Sequence, residues 1–320
     1  MKLICSSNNM LIVNSLPQTH VIKQMTAPID NDKSSNLQVS ESIIDNNINS
    51  ISAIKIPLVS SRPILAVSQN HILVNEYTNK RKRLVLINEH LQIDFINSPI
   101  KQNIIDALWN DVEKKFFLLT ETNIFTFNPN TKVIESISNI RSKDIKPFKC
   151  FTVSNKQSSL LIAYDEWEPK FIDRWQKTNE NNLWILSKRH SLNLTNNEFI
   201  GIILAINQDD CSNLAMTIYN NLTEQWRMEL RHIETLICFK KILLPGSDFI
   251  DDYRMISMNN VTLDIKWLIH SSANSKIIAI DSKWNIIPIN YDVPVYRMIQ
   301  FKENNLIIRT KNRIDIHFFI

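Results

Sequence analysis

The stretch Val85-Leu-Ile-Asn-Glu-His-Leu-Gln-Ile-Asp-Phe-Ile96 has the pattern of two short apolar strands joined by a polar turn that Asn88 opens. The same order of strand, turn and strand recurs in Phe125–Ile137 and in Ile278–Ile289. A unit built from such short strands cannot bury its own apolar side, so copies of it must stack on one another. The sequence therefore predicts an all-β repeat protein.

Six apolar strands occupy equivalent places along the chain, and their starts are separated by roughly 40 to 54 residues. They are Ile72–Val74, Phe116–Leu119, Leu160–Ala163, Leu214–Thr217, Trp267–His270 and Leu306–Arg309. Apolar strands are also predicted before and after each of these, because short alternating runs are separated by turn residues. The spacing predicts six four-stranded units, and seven units are the alternative.

The two ends of the repeat region predict how the array closes. The chain reaches Ile320 after the third strand of its sixth unit, whereas Ile51–Val59 is an additional strand before the first unit. If Ile51–Val59 supplies the missing outer strand, both ends share one sheet and no open sheet edge remains. We expect this closed domain over residues 51–320, after a flexible Asn- and Ser-rich arm over residues 1–50.

The repeat period and the turn placement over residues 51–320 resemble those of the β-propeller superfamily, of the WD40 or NHL type. The signature residues of these families are missing, since no Gly-His and Trp-Asp pair marks each unit and no di-glycine of the kelch type occurs. The resemblance implies an all-β propeller of six four-stranded blades, closed by an N-terminal strand. A pair of all-β sandwiches is the alternative fold.

Composition limits the class of protein. A formal net charge of +4 on 320 residues, with acidic and basic residues interspersed, does not predict nucleic-acid binding. No stretch is long and apolar enough to span a bilayer. The 4 Cys have no paired spacing, so we expect free thiols, no disulfides and, by default, a cytoplasmic protein. Because the chain has only 2 Gly, we expect Asn or Asp at turn positions that need a positive φ.

The one dense basic run is Lys80-Arg81-Lys82-Arg83. It could be a nuclear import signal or a patch for an acidic partner. It also falls between two predicted strands of the first unit, where a solvated turn is expected. We favour the turn, and nuclear localisation is the alternative. Nucleic-acid binding, a third functional hypothesis, would depend on this run alone.

Aromatic and charged residues concentrate around the third unit, where Asp165-Glu-Trp-Glu168 is followed by Phe171-Ile-Asp-Arg-Trp175. Exposed Trp and Arg are typical of protein-binding hot spots, because they combine a large apolar area with polar groups. Packing between blades is the alternative role of these Trp residues. The candidate partner-binding residues are Trp167, Glu168, Arg174 and Trp175.

Three aspartates, Asp106, Asp251 and Asp252, begin or precede predicted inner strands. In six-bladed propeller hydrolases, acidic side chains of several inner strands converge on a metal ion. The resemblance therefore makes a metal-dependent hydrolase or lactonase the alternative function. We favour exposed loop acids, because the equivalent positions of the other units offer no clear further ligands.

No enzyme motif supports catalysis, since GxSxG, a P-loop, a dinucleotide fingerprint and HExxH are all missing from the sequence. A propeller presents variable loops on a rigid scaffold, so its specificity lies in those loops. We therefore expect a non-enzymatic β-propeller that serves as a platform for an unidentified protein partner, with no cofactor.

Overall fold

A computed structural model of the chain describes residues 38–40, 50–57, 65–78, 81–142, 146–154, 159–165, 170–178, 180, 183–206, 213–245, 253–258, 264–271, 276–302 and 305–319. Within these residues the chain forms 25 strands and no helix. The described residues accordingly contain no helix with the length and hydropathy of a membrane span.

The first strands of the chain are β1 (Gln38–Ser40), β2 (Ser50–Pro57), β3 (Leu65–Val67), β4 (His71–Thr78), β5 (Arg81–Asn88) and β6 (Ile93–Asn97). Then follow β7 (Ile104–Asn110), β8 (Lys115–Thr120), β9 (Asn123–Phe127), β10 (Ile134–Arg141), β11 (Phe148–Ser154), β12 (Ser159–Tyr164), β13 (Phe171–Lys177) and β14 (Trp184–Ser191). Next are β15 (Glu198–Ile206), β16 (Asn213–Asn220), β17 (Gln225–His232), β18 (Cys238–Leu243), β19 (Tyr253–Ser257), β20 (Ile265–Ser271), β21 (Lys276–Asp281) and β22 (Ile286–Asn290). The last strands are β23 (Arg297–Phe301), β24 (Asn305–Arg309) and β25 (Arg313–Phe319).

The described residues form two compact units. The first unit runs up to Ser98 and resumes at Tyr296, and it holds the sheets β3-β4-β5-β6 and β1-β2-β25-β24-β23. The second unit, Pro99–Val295, holds four sheets of four consecutive antiparallel strands each: β7 to β10, β11 to β14, β15 to β18 and β19 to β22. The prediction of an all-β fold with six antiparallel sheets is confirmed.

Strand β2 completes the last sheet of the chain, as its sequence predicted. Ile54 of β2 lies opposite Ile316 of β25, and Ile56 lies opposite Ile314. All four side chains are buried in one apolar cluster, so the pairing is supported by packing as well as by backbone hydrogen bonds. The predicted closing strand is therefore confirmed.

Strand β1 lies within the range that was predicted to be a flexible arm. It pairs with β2 in an antiparallel register that places Val39 opposite Ile54. The sheet consequently has five strands, and the sequence did not predict the additional one. The rest of the arm, residues 1–37 and 41–49, lies outside the described residues.

Burial differs sharply between the second strand and the outer strand of a sheet. In β8 every residue from Phe116 to Thr120 is buried, and in β16 the whole run Leu214–Tyr219 is buried. The outer strand β18 instead alternates, since Phe239, Lys241 and Leu243 are exposed between less exposed neighbours. A strand that is covered on both faces has a continuous apolar sequence, whereas a half-covered strand alternates.

Polar side chains of second strands in the second unit contact backbone carbonyls outside their own sheet. Thr217 Oγ1 on β16 donates a hydrogen bond to the Tyr253 carbonyl, where β19 begins, at 3.0 Å. His270 Nδ1 on β20 lies at the same distance, 3.0 Å, from the Val295 carbonyl oxygen. Gly201 lies beside the hydrogen bond of Thr217. A larger residue does not fit there, because a Cβ atom would lie 2.4 Å from Thr217 Oγ1.

The expectation that Asn or Asp would occupy the turn positions with positive φ is wrong. The described non-glycine residues with positive φ are Leu91, Lys114, Lys132, Glu224, Leu236, Trp284 and Lys302. Asn or Asp opens five of these seven turns instead, those of Leu91, Lys114, Lys132, Glu224 and Trp284. Asn88 Oδ1, for example, accepts hydrogen bonds from the backbone N–H groups of His90 and Gln92, both at 2.9 Å. The side-chain acceptor must precede the amides that it binds, and the residue with positive φ follows later in the turn.

Candidate functional site

Exposed apolar side chains concentrate on two outer strands of the second unit. Of the eleven exposed large apolar side chains among the described residues, six belong to β14, to β18 or to the residue directly before either strand. They are Leu183, Ile185, Leu186, Ile237, Phe239 and Leu243. We call these six, together with the exposed Lys188 and Lys241, the β14–β18 surface.

A β-bulge in β14 produces its part of this surface. Arg174 of β13 pairs with Lys188, but the next residue, Trp175, pairs with Leu186, so Ser187 has no partner in the register. Bulges are common at sheet edges, where they change the direction in which side chains point. The outer strand thereby exposes five consecutive residues, from Ile185 to Arg189.

A second bulge shapes β18. Leu230 of β17 pairs with Lys240 and Arg231 pairs with Cys238, which leaves Phe239 between them without a partner in the register. The Phe239 ring contacts the His232 ring, with centroids 4.7 Å apart, and remains 47% exposed. From Lys240 to Leu243 the ladder with β17 is regular.

The turn between β17 and β18 packs against the sheet of β13 and β14. The Arg174 guanidinium, which is 5% exposed, donates to Glu234 Oε2 at 2.5 Å and to the Ile233 carbonyl at 2.7 Å. Lys188 Nζ lies 3.5 Å from the Glu234 carbonyl oxygen. These contacts join the turn that directly precedes β18 to side chains of β13 and β14.

A buried ionic network lies behind the outer strand β18. Glu229 is fully buried; its Oε1 accepts from Arg227 Nε at 2.7 Å, and its Oε2 accepts from Arg231 Nε at 2.8 Å. Burial alone would raise the pKa of Glu229, but Arg231 and Arg227 offset this and hold that pKa below its ordinary value. Lys241 is 3.6 Å from Glu229 Oε1 and 64% exposed. Because two arginines already neutralise Glu229, Lys241 contributes positive charge to the surface.

Of the four partner-binding residues predicted from the sequence, the structure describes Arg174 and Trp175, which pair with Lys188 and Leu186 of β14. Arg174 positions the turn that carries Glu234, as described above, and Trp175 is half-buried against the core cluster of its sheet. Trp167 and Glu168 lie outside the described residues. The sequence analysis did not single out the apolar residues of β14 and β18.

The basic run does not form the predicted turn, because Arg81–Arg83 belong to strand β5. Arg83 lies opposite Glu76 of β4, forms an ion pair with it and stacks over Phe95 at 3.8 Å from the ring centroid. The ion pair and the stacking explain why a basic residue is stable in this strand. Lys82 is exposed, and Lys80 lies outside the described residues.

Of the three ligands predicted for the alternative metal site, the structure describes one. Asp106 is 3% exposed on β7, and its Oδ1 accepts from the Ala107 N–H at 2.9 Å. Asp251 and Asp252 lie outside the described residues. In the part of the chain that the structure describes, no three His, Cys, Asp or Glu side chains are grouped so that they could hold a metal ion.

The two described cysteines, Cys150 and Cys238, are free, so this part of the chain contains no disulfide. Burial, with a further contribution from Asp106, raises the pKa of the Cys150 thiol to about 12. Burial and Glu229 also raise the pKa of Cys238. Both thiols are therefore protonated at neutral pH and are weak nucleophiles.

In the first unit, Arg309 is a charged residue in a buried position. Its side chain is fully buried, and its guanidinium nitrogens have no hydrogen-bond partner among the described residues. Burial lowers its pKa to about 10, although Glu76 opposes this effect. Because the side chain has no accessible surface, we do not count it as part of a binding site.

Comparison with known proteins identifies the fold but no family. The sequence matches no family model and no curated protein. Among solved structures, virginiamycin B lyase from Staphylococcus aureus is similar with a TM-score of 0.56 and 9% identity, over 84% of this chain and 99% of that chain. The WD40 domain of coronin from Toxoplasma gondii is similar with a TM-score of 0.54 and 8% identity, over 88% of each chain.

A chain of the mitotic checkpoint complex is similar with a TM-score of 0.58 and 6% identity, over 92% of this chain and 98% of that chain. Likeness at such low identity shows the fold alone, because one fold supports many functions. The β-propeller fold that the repeat period implied is confirmed, and its six blades are the six sheets described above.

Proposed function

We propose that this protein is a non-enzymatic interaction platform that binds a protein partner through the β14–β18 surface. The observation that carries the proposal is the concentration of exposed apolar side chains there, with Ile237 and Leu243 each 63% exposed. Contiguous apolar patches with polar margins are typical of protein–protein interfaces, because their burial on binding is favourable.

The similar structures are compatible with this role, but the proposal does not depend on them. They include a chain of an assembly, the mitotic checkpoint complex, and also an enzyme, virginiamycin B lyase. The same fold thus serves both classes of protein, and only the residues of this chain can favour one of them. Here those residues are apolar side chains on outer strands, with basic residues between them.

The test compares the full-length chain with two variants in affinity purification from its native cells, at moderate and high salt. Phe239→Glu combined with Leu243→Glu places two charges in the apolar surface, and we expect it to lose a stoichiometric partner that the unchanged protein retains. Leu222→Glu is the matched control, because Leu222 is 74% exposed in the turn between β16 and β17, outside the surface. The control should retain the partner.

Two results would overturn the proposal: no stoichiometric partner at either salt concentration, or a partner that the double variant binds as well as the control does. Melting temperatures of both variants should remain within a few degrees of the unchanged protein, since exposed substitutions usually change stability by less than about 0.5 kcal/mol. Trp167 and Glu168 remain proposed as additional contacts, and Trp167→Ala and Glu168→Gln in the same purification test them.

A further inference from the structure

We infer that the partner binds as an extended segment of alternating acidic and apolar residues, which adds to the edge of β18 as a further strand. The inference rests on the proposed function and names the chemistry and the binding mode of the partner. It follows from three observations on β18: its position at the end of its sheet, the pattern of its exposed side chains, and its charge.

Strand β18 is the last strand of its sheet, and no described strand pairs with its outer edge. Such an edge presents unpaired backbone N–H and C=O groups, to which an extended peptide can add. Other outer strands of the unit differ from β18. Pro288 lies within β22 and has no backbone N–H to donate, and the Asn139 side chain of β10 donates to the Trp184 carbonyl of β14.

The exposed residues of β18 determine which side chains an added strand should carry. Lys241 and Leu243 are two residues apart in the regular part of the ladder, so they lie on the same face of the strand, and Phe239 is exposed at the bulge that precedes them. Side chains of an added strand that lie opposite them would be apolar, acidic and apolar in turn. The regular ladder over Lys240–Leu243 is long enough to direct four to six residues of such a segment.

Charge decides between an acidic segment and a second copy of this chain. The Lys241 side chain is 64% exposed, and the carboxylate 3.6 Å from its ammonium, that of Glu229, already accepts from two arginines. An incoming carboxylate can therefore pair with Lys241. Two β18 edges facing each other would instead bring their lysines together, and like charges across a strand pair are destabilising. Lysine on an edge strand is a common device against self-association.

The experiment measures the binding of synthetic eight-residue peptides to the full-length protein by fluorescence anisotropy. The probe alternates Asp with Leu or Val, and one control has the same composition with the apolar residues grouped together. A third peptide replaces Asp with Lys. We expect the alternating acidic peptide to bind at least tenfold more tightly than either control, because only it satisfies both the apolar and the charged positions.

A charge exchange in the protein supplies the decisive readout. Lys241→Glu should weaken the acidic peptide at least tenfold and strengthen the basic peptide. Lys266→Glu, at an exposed position of β20, should change neither affinity. Reversal of the preference by one substitution cannot result from a general loss of folding, so it separates recognition from a structural effect.

A backbone-modified peptide tests the strand addition itself. Two peptides are N-methylated, one at the odd and one at the even residues, so that each lacks the amide donors of one edge, and we expect one of the two to lose the binding of the alternating acidic probe. Equal binding of both methylated peptides and the unmodified peptide would overturn the inference, as would a Kd that Lys241→Glu does not change. Self-association of the protein that the peptide does not reduce would also overturn it, since a second copy would then occupy the edge.

The two proposals can fail separately. If the double variant Phe239→Glu and Leu243→Glu loses a cellular partner while the acidic peptide does not bind, the platform function stands and the inferred binding mode is wrong. If the peptide binds with the expected charge dependence and purification yields no partner, the edge recognises this chemistry but the proposed function is wrong.

Discussion

In the turns of this protein, one residue accepts the backbone hydrogen bonds with its side chain and a different residue adopts the positive φ. A single Asn or Asp could have done both. In the turn after β9, Asn128 Oδ1 accepts from the Asn130 N–H at 2.9 Å, and the Asn128 carbonyl accepts from the Lys132 N–H at 2.8 Å. The positive φ, 59°, belongs to Lys132. Because the chain has only 2 Gly, Lys132 adopts the strained positive φ, while Asn128 supplies the hydrogen-bond acceptor.

Lys132→Gly should stabilise the protein. Glycine has no Cβ to clash at positive φ, so the variant avoids a cost of about 1–2 kcal/mol, and part of this gain is offset by the greater freedom of glycine in the unfolded chain. We expect the free energy of unfolding in urea to rise by roughly 0.5–1 kcal/mol. The control, Lys266→Gly, replaces an exposed lysine within strand β20 and should lower it. A lower free energy of unfolding for Lys132→Gly would show that the lysine side chain stabilises the protein by more than its positive φ destabilises it.

At the residue scale the sequence indicated that Asn and Asp mark turns, but not what they do there. The Asn and Asp residues do open the turns after β5, β9 and β21. Their side chains are suited both to a positive φ and to capping the amides that follow. Sequence alone does not distinguish the two roles, because the distinction depends on the backbone path of the whole turn.

Among the elements, β17 is the strand whose charged side chains form the buried ionic network of the second unit. Arg227, Glu229 and Arg231 alternate along this strand and so lie on one face of it, and Arg227 also bonds Glu198 of β15. Glu229 is fully buried, so removal of its charge would leave the buried Arg231 without its carboxylate partner and Arg227 with Glu198 alone. Breaking such a pair from one side costs much more than an exposed pair is worth.

Glu229→Gln should therefore lower the free energy of unfolding at pH 7 by about 3–5 kcal/mol. The folded-state pKa of Glu229 lies below its ordinary value of 4.5, so its contribution to stability is present above that pH and is lost as the pH falls through the folded pKa. The difference in melting temperature between the unchanged protein and the variant should accordingly narrow below pH 4.5. A difference that stays constant down to pH 3 would contradict the ionic role.

The control for this experiment is an exposed ion pair. Glu135 of β10 is 59% exposed and lies 2.8 Å from Lys115 Nζ. Glu135→Gln should change stability by less than about 1 kcal/mol, because water screens an exposed pair. A similar loss in both variants would indicate that the two substitutions act through something other than buried charge.

The elements differ in how well their sequences predict them. Second strands such as β8 are found almost to the residue, since Phe116–Leu119 was predicted and Lys115–Thr120 is observed. Burial on both faces gives these strands a continuous apolar sequence. The β14–β18 surface could not be predicted in this way. Phe239 and Leu243 have the alternation of a half-buried strand, and alternation does not say which of its two faces the rest of the protein covers.

For the whole molecule, the fold depends on a pairing between the two ends of the chain. Strand β2 comes before all strands of the first four-stranded sheet, and β25 is the last strand of the chain, yet the two are direct neighbours. Ile56 of β2 is 1% exposed and packs in the cluster that contains Ile307 and Ile314. Closing so long a segment of chain costs entropy, which the buried apolar contacts must offset.

Ile56→Ala should therefore weaken this pairing and lower the free energy of unfolding by about 2–5 kcal/mol, the usual cost of removing a large buried side chain. Because the contact joins β2 to β25, hydrogen exchange in mild denaturant should accelerate first in peptides that cover 313–319, whereas those that cover 214–219 in the second unit should keep their protection. Ile185→Ala, at a 49% exposed position of β14, is the control and should leave both regions unchanged. Equal acceleration in the two regions would mean that the pairing of the ends stabilises the entire chain as one cooperative unit, and not chiefly the sheet that it completes.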